Sequence, residues 1–173
     1  MKREIFEWIK TIVVSILIAL LVTAFIKPTM VQGYSMEPTL SENDLLIINR
    51  LLYKRDLPER GDIVVFESTQ LDEEGNQKLF IKRVVGLPGE KIEISDGKVY
   101  INDSILSEEY LAEEFTHGDI QETIPTNKLF VIGDNRNNSL DSRNEEIGII
   151  DFDAVVGKAF IRLFPFSELG KIE

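Results

Sequence analysis

Hydrophobic residues follow two patterns along this chain. Near the N-terminus they form one unbroken run, and Ile12 to Ile26 contains no charged residue. From Leu45 onward they form short runs separated by Gly, Pro, Asn and Asp. The first pattern predicts a helix and the second predicts strands joined by turns. Strands are expected at 45–49, at 63–66 after the turn Gly61-Asp62, at 79–85, 92–94, 98–101 and 128–132, with a closing strand between Ala154 and Phe166. Asp96-Gly97 between two of these runs is a strong hairpin signal. Leu71 to Lys78 is polar and reads as a hairpin tip, and Gly86-Leu87-Pro88-Gly89 ends the third strand. Residues 104–127 are acidic and irregular and read as a surface excursion. Phe160, Phe164 and Phe166 are expected to pack in the core rather than touch lipid. The fold class is mainly β, with one N-terminal helix.

The long apolar run fits three readings. Extended by Trp8, Ile9 and Thr11, it approaches the roughly 17–20 residues that cross a bilayer. It is then a membrane-anchoring helix, with Trp8 at the interface and Lys10 reaching toward it. A cleavable signal peptide is the second reading, because Val22-Thr23-Ala24 offers small residues. A buried soluble helix is the third. The anchor reading divides the chain into a cytoplasmic N-terminus and transmembrane anchor at 1–27 and an extracytoplasmic β-rich domain at 28–173. Lys2, Arg3 and Lys10 precede the run and only Lys27 follows it closely, which keeps the N-terminus in the cytoplasm.

Charge and composition narrow the function. The net charge of the 173 residues is −11, which argues against a nucleic-acid partner. Residues 1–26 carry +1, so the remainder carries −12. There is no cysteine, which excludes disulfides, thiolate chemistry and Cys-based zinc sites. His117 is the only histidine and lies among acids, as in an exposed loop; it is not taken as a catalytic base.

Three stretches hold candidate chemistry. Gly33-Tyr34-Ser35-Met36-Glu37-Pro38-Thr39-Leu40 joins the apolar run to the first strand. Gly33 frees the backbone two residues before Ser35, and Pro38 restricts Glu37. Ser35 is either a common turn serine or a nucleophile projected into a cleft. Lys82 interrupts an apolar strand and shares a face with Phe80 and Val84. It is either an edge lysine in water or a buried amine whose lowered pKa suits a general base. Gly133 to Arg143 follows a strand and is dense in Asn, Asp, Ser and Arg. That loop is either a self-bonded turn or a support that orients the lysine through Ser139 or Ser142, with Asp141 and Arg143 paired. Ile26 and Ser35 are nine residues apart, at most about 30 Å of extended chain, so an anchored Ser35 stays near the membrane surface.

Taken together, these stretches resemble the type I signal peptidases, or leader peptidases, in their short Gram-positive bacterial form. The likeness rests on four motifs in the family order: residues 33–40, Arg-Gly-Asp-Ile-Val-Val-Phe (60–66), Lys-Arg-Val-Val-Gly-Leu-Pro-Gly-Glu (82–90) and the loop 133–143. The resemblance implies a signal-peptidase-type β catalytic core, with Ser35 as nucleophile and Lys82 as its general base. It implies that Ser139 hydrogen-bonds the lysine, that Asp141 and Arg143 support the site, and that Met36 shapes the substrate cleft. Some relatives carry a serine at the position of Gly33 that helps form the oxyanion hole, and many have Asp at Asn137.

The function so implied is a membrane-bound serine endopeptidase that removes N-terminal signal peptides from exported preproteins by a Ser-Lys dyad. No cofactor or metal is implied. The partners are secretory preproteins and the membrane bilayer, not nucleic acid. Two alternatives remain: a self-cleaving Ser-Lys protease, and a non-catalytic membrane-tethered β-domain that binds exported chains.

Overall fold

The computed structural model of this chain describes residues 2–54, 56–72 and 74–172. Helix α1 (Lys2–Phe25) runs directly into strand β1 (Ile26–Met30). The strands that follow are β2 (Leu45–Asn49), β3 (Ile63–Leu71), β4 (Gln77–Gly86), β5 (Lys91–Ser95) and β6 (Lys98–Ile101). After them come β7 (Ser104–Ile105), β8 (Ile120–Thr123), β9 (Lys128–Ile132), β10 (Ile150–Asp151), β11 (Val155–Phe164) and β12 (Gly170–Lys171). Eight strands form one antiparallel sheet in the order β1-β2-β11-β3-β4-β9-β10, with β12 added to β11. Four form a smaller sheet, β7-β6-β5-β8.

Period-two alternation explains the core. On β3, Ile63 and Val65 point into a cluster with Met36, Leu40, Leu46 and Ile48, whereas Val64 and Phe66 point into a second with Val84, Leu129 and Val131. A strand buried on both faces has no polar face to show, hence its continuous Ile-Val-Val-Phe. A third cluster fills the small sheet around Ile92, Ile94 and Phe130. Asp96 (φ 51°) and Gly97 (φ 76°) both take the left-handed conformation, as a two-residue hairpin requires. Glu73 of the expected β3–β4 tip lies outside the described residues.

Three expectations change. The excursion at 104–127 is not wholly irregular, because it contributes β7 and β8 and buries Thr116. Phe160, Phe164 and Phe166 are 40%, 49% and 79% exposed, so they do not pack in the core. Phe160 and Phe164 belong to β11, which lies between β2 and β3, and Phe166 follows that strand; Phe164 and Met30 both pair with Leu45 across neighbouring strands and form an outward apolar row. Finally, a helix does form over the N-terminal run, with exposed Ile5, Trp8, Ile9, Ile12, Leu17 and Ile18. Yet among the described residues no helix is long and apolar enough to cross a membrane. The structure supplies the expected helix without supplying the expected span.

Candidate active site

Ser35 lies on the turn between β1 and β2, and buried neighbours hold that turn in place. Val31 N–H donates to the Asp44 carbonyl at 2.9 Å, and Asn43 N–H donates to the Val31 carbonyl at 3.0 Å. Met36 and Leu40, 1% and 0% exposed, plug the first core cluster. Each such burial contributes roughly 1.5–3 kcal/mol. Leu40 N–H closes back on the Met36 carbonyl at 2.8 Å. Gly33 takes φ +82°, the left-handed region in which glycine is at ease. The result is a half-buried hydroxyl at the floor of a cleft of about 910 Å³.

Lys82 comes from β4 and is 2% exposed, so it is not an edge lysine in water. Its Nζ donates to Ser35 Oγ at 2.7 Å and to the Ile81 carbonyl at 2.9 Å. It stands 5.4 Å from the centre of the Phe80 ring, on the face they share. Burial pushes the Lys82 ammonium down to about 8, against the pull of Asp141 and Asp134 that favours the charged form; Arg143 adds to the lowering. A free lysine titrates near 10.4, so this one is neutral far more often at physiological pH. An uncharged amine in hydrogen-bond contact with a hydroxyl can take its proton as an attack begins.

The loop after β9 binds the Ser35 turn from behind. Asp141, 0% exposed, accepts from the Gly133 N–H at 3.0 Å and forms a two-pronged pair with Arg143 at 2.8 and 2.9 Å. Ser142 Oγ accepts from the Val131 N–H at 3.0 Å, pinning the loop to β9. Asn135 N–H donates to the Ser35 carbonyl at 3.0 Å, and its side chain donates to the Tyr34 carbonyl at 3.1 Å. Gly133 has no room for a side chain. A Cβ there would overlap both Ser139 Oγ and the Ser35 carbonyl oxygen.

Ser139 does not behave as expected. Its Oγ is buried without a hydrogen-bond partner, so the bond to Lys82 is not formed in this structure. The Lys82 ammonium spends its contacts on Ser35 and a backbone carbonyl instead. His117 is exposed, and its backbone carbonyl accepts from Arg143 at 3.2 Å.

Several residues of this region escaped the sequence reading. Arg83 and Asp134 form a buried two-pronged pair at 2.9 and 2.7 Å, and Thr39 Oγ1 donates to the same carboxylate at 2.5 Å. An arginine inside an apolar strand beside Lys82 was the available signal, because a buried charge requires a partner. Glu108 and Tyr110, which reach this loop from the excursion, gave no local signal. Among the described residues no group of three or more His, Cys, Asp or Glu side chains could hold a metal.

A family model described as "Signal peptidase, peptidase S26" matches residues 5–164. The chain belongs to the signal peptidase family.

Individual relatives agree with that placement. A signal peptidase I of Bacillus licheniformis is 36% identical over 99% of this chain and 95% of its own length. A signal peptidase IB of Staphylococcus aureus (strain COL) is 37% identical over 97% of this chain and 94% of its own. The crystal structure of a signal peptidase I from Enterococcus faecalis V583 superposes with a TM-score of 0.50 at 36% identity, covering 60% of this chain and 97% of the other. Within this signal peptidase, a Cβ placed on Gly33 would have no neighbour within 4 Å, so space exists for a serine there, although its φ would strain one. Asn137 is exposed and bonds Glu113.

Proposed function

We propose that this signal peptidase is a serine endopeptidase held at a membrane, and that it cuts signal peptides from exported preproteins with Ser35 as nucleophile and Lys82 as general base. The observation that carries this reading is the 2.7 Å contact between a buried lysine and a serine hydroxyl at the floor of an open cleft.

Neutral Lys82 Nζ takes the hydroxyl proton as Ser35 Oγ bonds to the scissile carbonyl carbon. The same Nζ returns that proton to the departing amine as the peptide C–N bond breaks. Water then adds to the ester, again giving its proton to Lys82, and Ser35 is released with the acid product. The Ser35 backbone N–H is the candidate donor to the oxyanion, since the Gly33 position offers no hydroxyl. Asp141 and Arg143 fix the loop that grips the Ser35 backbone, and Met36 forms part of the cleft floor.

The cleft favours an extended substrate. It runs between residues 29–36 on one side and 77–82 on the other. Strand β4 pairs with β9 only over 83–86, so its earlier half has an edge with no strand beside it among the described residues. A peptide can add there as a strand, with alternate side chains entering shallow pockets.

Two features support a membrane setting. Helix α1 exposes apolar side chains from Ile5 to Ile18, and the row Met30, Leu45, Phe164 with Phe166 continues that surface onto the sheet. The basic residues Lys2, Arg3 and Lys10 favour a cytoplasmic N-terminus. Holding enzyme and preprotein in one bilayer raises their effective concentration, so shallow pockets suffice.

The test uses three variants on one preprotein. Ser35→Ala and Lys82→Ala are each expected to abolish cleavage, a loss of about 10⁴-fold or more. His117→Ala is expected to cleave normally. A fully active Lys82→Ala protein removes the base. A wild-type protein that binds the preprotein without cutting it, and whose Ser35 resists a β-lactam-like acylating agent, is a binding domain instead.

A further inference from the structure

The segment 106–119 belongs by position to the small sheet, yet it makes several buried bonds to the loop behind Ser35. Glu108 receives two bonds from Arg136, at 2.9 and 2.5 Å, and the two side chains are 6% and 1% exposed. Arg136 spends two further donors on Thr116 Oγ1 at 2.6 Å and on the Gly133 carbonyl at 3.2 Å. Tyr110 donates its hydroxyl to Glu108 Oε1 at 2.5 Å and lays its ring 3.9 Å from the Arg83 guanidinium carbon. One carboxylate therefore organises two contacts. The first leads to Gly133, which starts the loop that binds the Ser35 carbonyl. The second covers Arg83, the neighbour of Lys82, which is itself locked to Asp134 in the same loop.

We propose that Glu108 is a positioning residue for the Ser35–Lys82 pair, acting through Arg136 on one flank and Tyr110 on the other. Glu108 touches neither reacting side chain. It sets the spacing between the strand that carries the base and the loop that holds the nucleophile. Near-attack geometry is sensitive to about 1 Å of misplacement, so a loosened spacing lowers turnover. Substrate binding relies on the cleft walls at 29–36 and 77–82, which Glu108 does not contact, and is left in place. The inference rests on the Ser35–Lys82 reading above.

The test measures kcat and KM of the full-length protein in detergent on a peptide bearing a signal-peptide cut site. Glu108→Gln keeps the shape but leaves the Arg136 charge unbalanced; kcat is expected to fall about 10²-fold with KM within about twofold. Glu114→Gln, an exposed acid of the same segment, is expected to match the wild type. Glu108→Gln combined with Arg136→Met is expected to lose about as much kcat as Arg136→Met alone, because both residues act along one link, and fully additive losses overturn the proposal. Wild-type kcat in Glu108→Gln overturns the proposal, and so does a change confined to KM. Should Glu108→Gln fail to fold, Tyr110→Leu takes its place without stranding a charge: a lowered kcat supports the role and an unchanged kcat overturns it. A wild-type protein that cuts no peptide overturns the peptidase reading itself, an outcome distinct from any of these.

Discussion

The two ends of the large sheet treat polarity in opposite ways. Around β4 and β9 the interior holds ionisable side chains: Lys82, Arg83, Asp134 and Asp141 are at most 3% exposed, and each has a partner at hydrogen-bond distance. Around α1, β1 and the end of β11 the exterior shows hydrocarbon: Trp8, Met30, Phe164 and Phe166 are at least 49% exposed. Buried charge is tolerated only when paired, and a large exposed apolar surface calls for something to cover it. The first region is complete within the molecule. The second leaves its apolar side chains uncovered among the described residues.

The largest expected effect beyond loss of the dyad itself comes from the first region. Gly133→Ala pushes a methyl group into Ser139 and the Ser35 carbonyl, so kcat is expected to fall about 10²-fold, with the fold retained as judged by thermal melting. Wild-type turnover in that variant means that the Ser35 turn and the loop are not rigidly coupled.

Acidity gives the next test. Lys82 must be neutral to act as base, and burial lowers its pKa to about 8. The lowered pKa favours the uncharged form, so kcat is expected to rise with pH through about 8 and to fall about tenfold per unit below it. A profile that is flat between about pH 6 and about pH 9, a range set around the shifted lysine, breaks the claim that a dry amine is the base.

The smallest effect belongs to the second region. Phe164→Ser with Phe166→Ser removes two exposed rings and touches no part of the dyad. Retention on lipid vesicles is expected to drop severalfold as two apolar rings are lost, while kcat on a soluble peptide stays unchanged. Equal retention of variant and wild type means the rings have no apolar phase to enter.

The same contrast decides what the sequence could tell. Strand positions were legible because burial on one or both faces writes a period of two, or a solid apolar run, directly into the residues. Ser35 and Lys82 were legible as a pair only once four motifs stood in a recognisable order, since a turn serine and a strand lysine are each ordinary alone. Arg83 was visible as an oddity but its partner was not, because Asp134 is 51 residues away and only the β4–β9 pairing joins them. Glu108 and Tyr110 carried no mark at all: they sit in an acidic stretch whose other acids are exposed. Phe164 and Phe166 misled because apolar patterning records that a residue avoids water, not which side of a sheet it leaves by.

Helix α1 passes into β1 with no intervening loop, and β1 walls the cleft. If α1 is the membrane tether proposed above, tether and binding wall are one continuous length of backbone. An enzyme so built works like a gauge block. On that reading its cutting point stands at a fixed height above the place where it is rooted, and a preprotein is read by how far its scissile bond projects as much as by which side chains flank it.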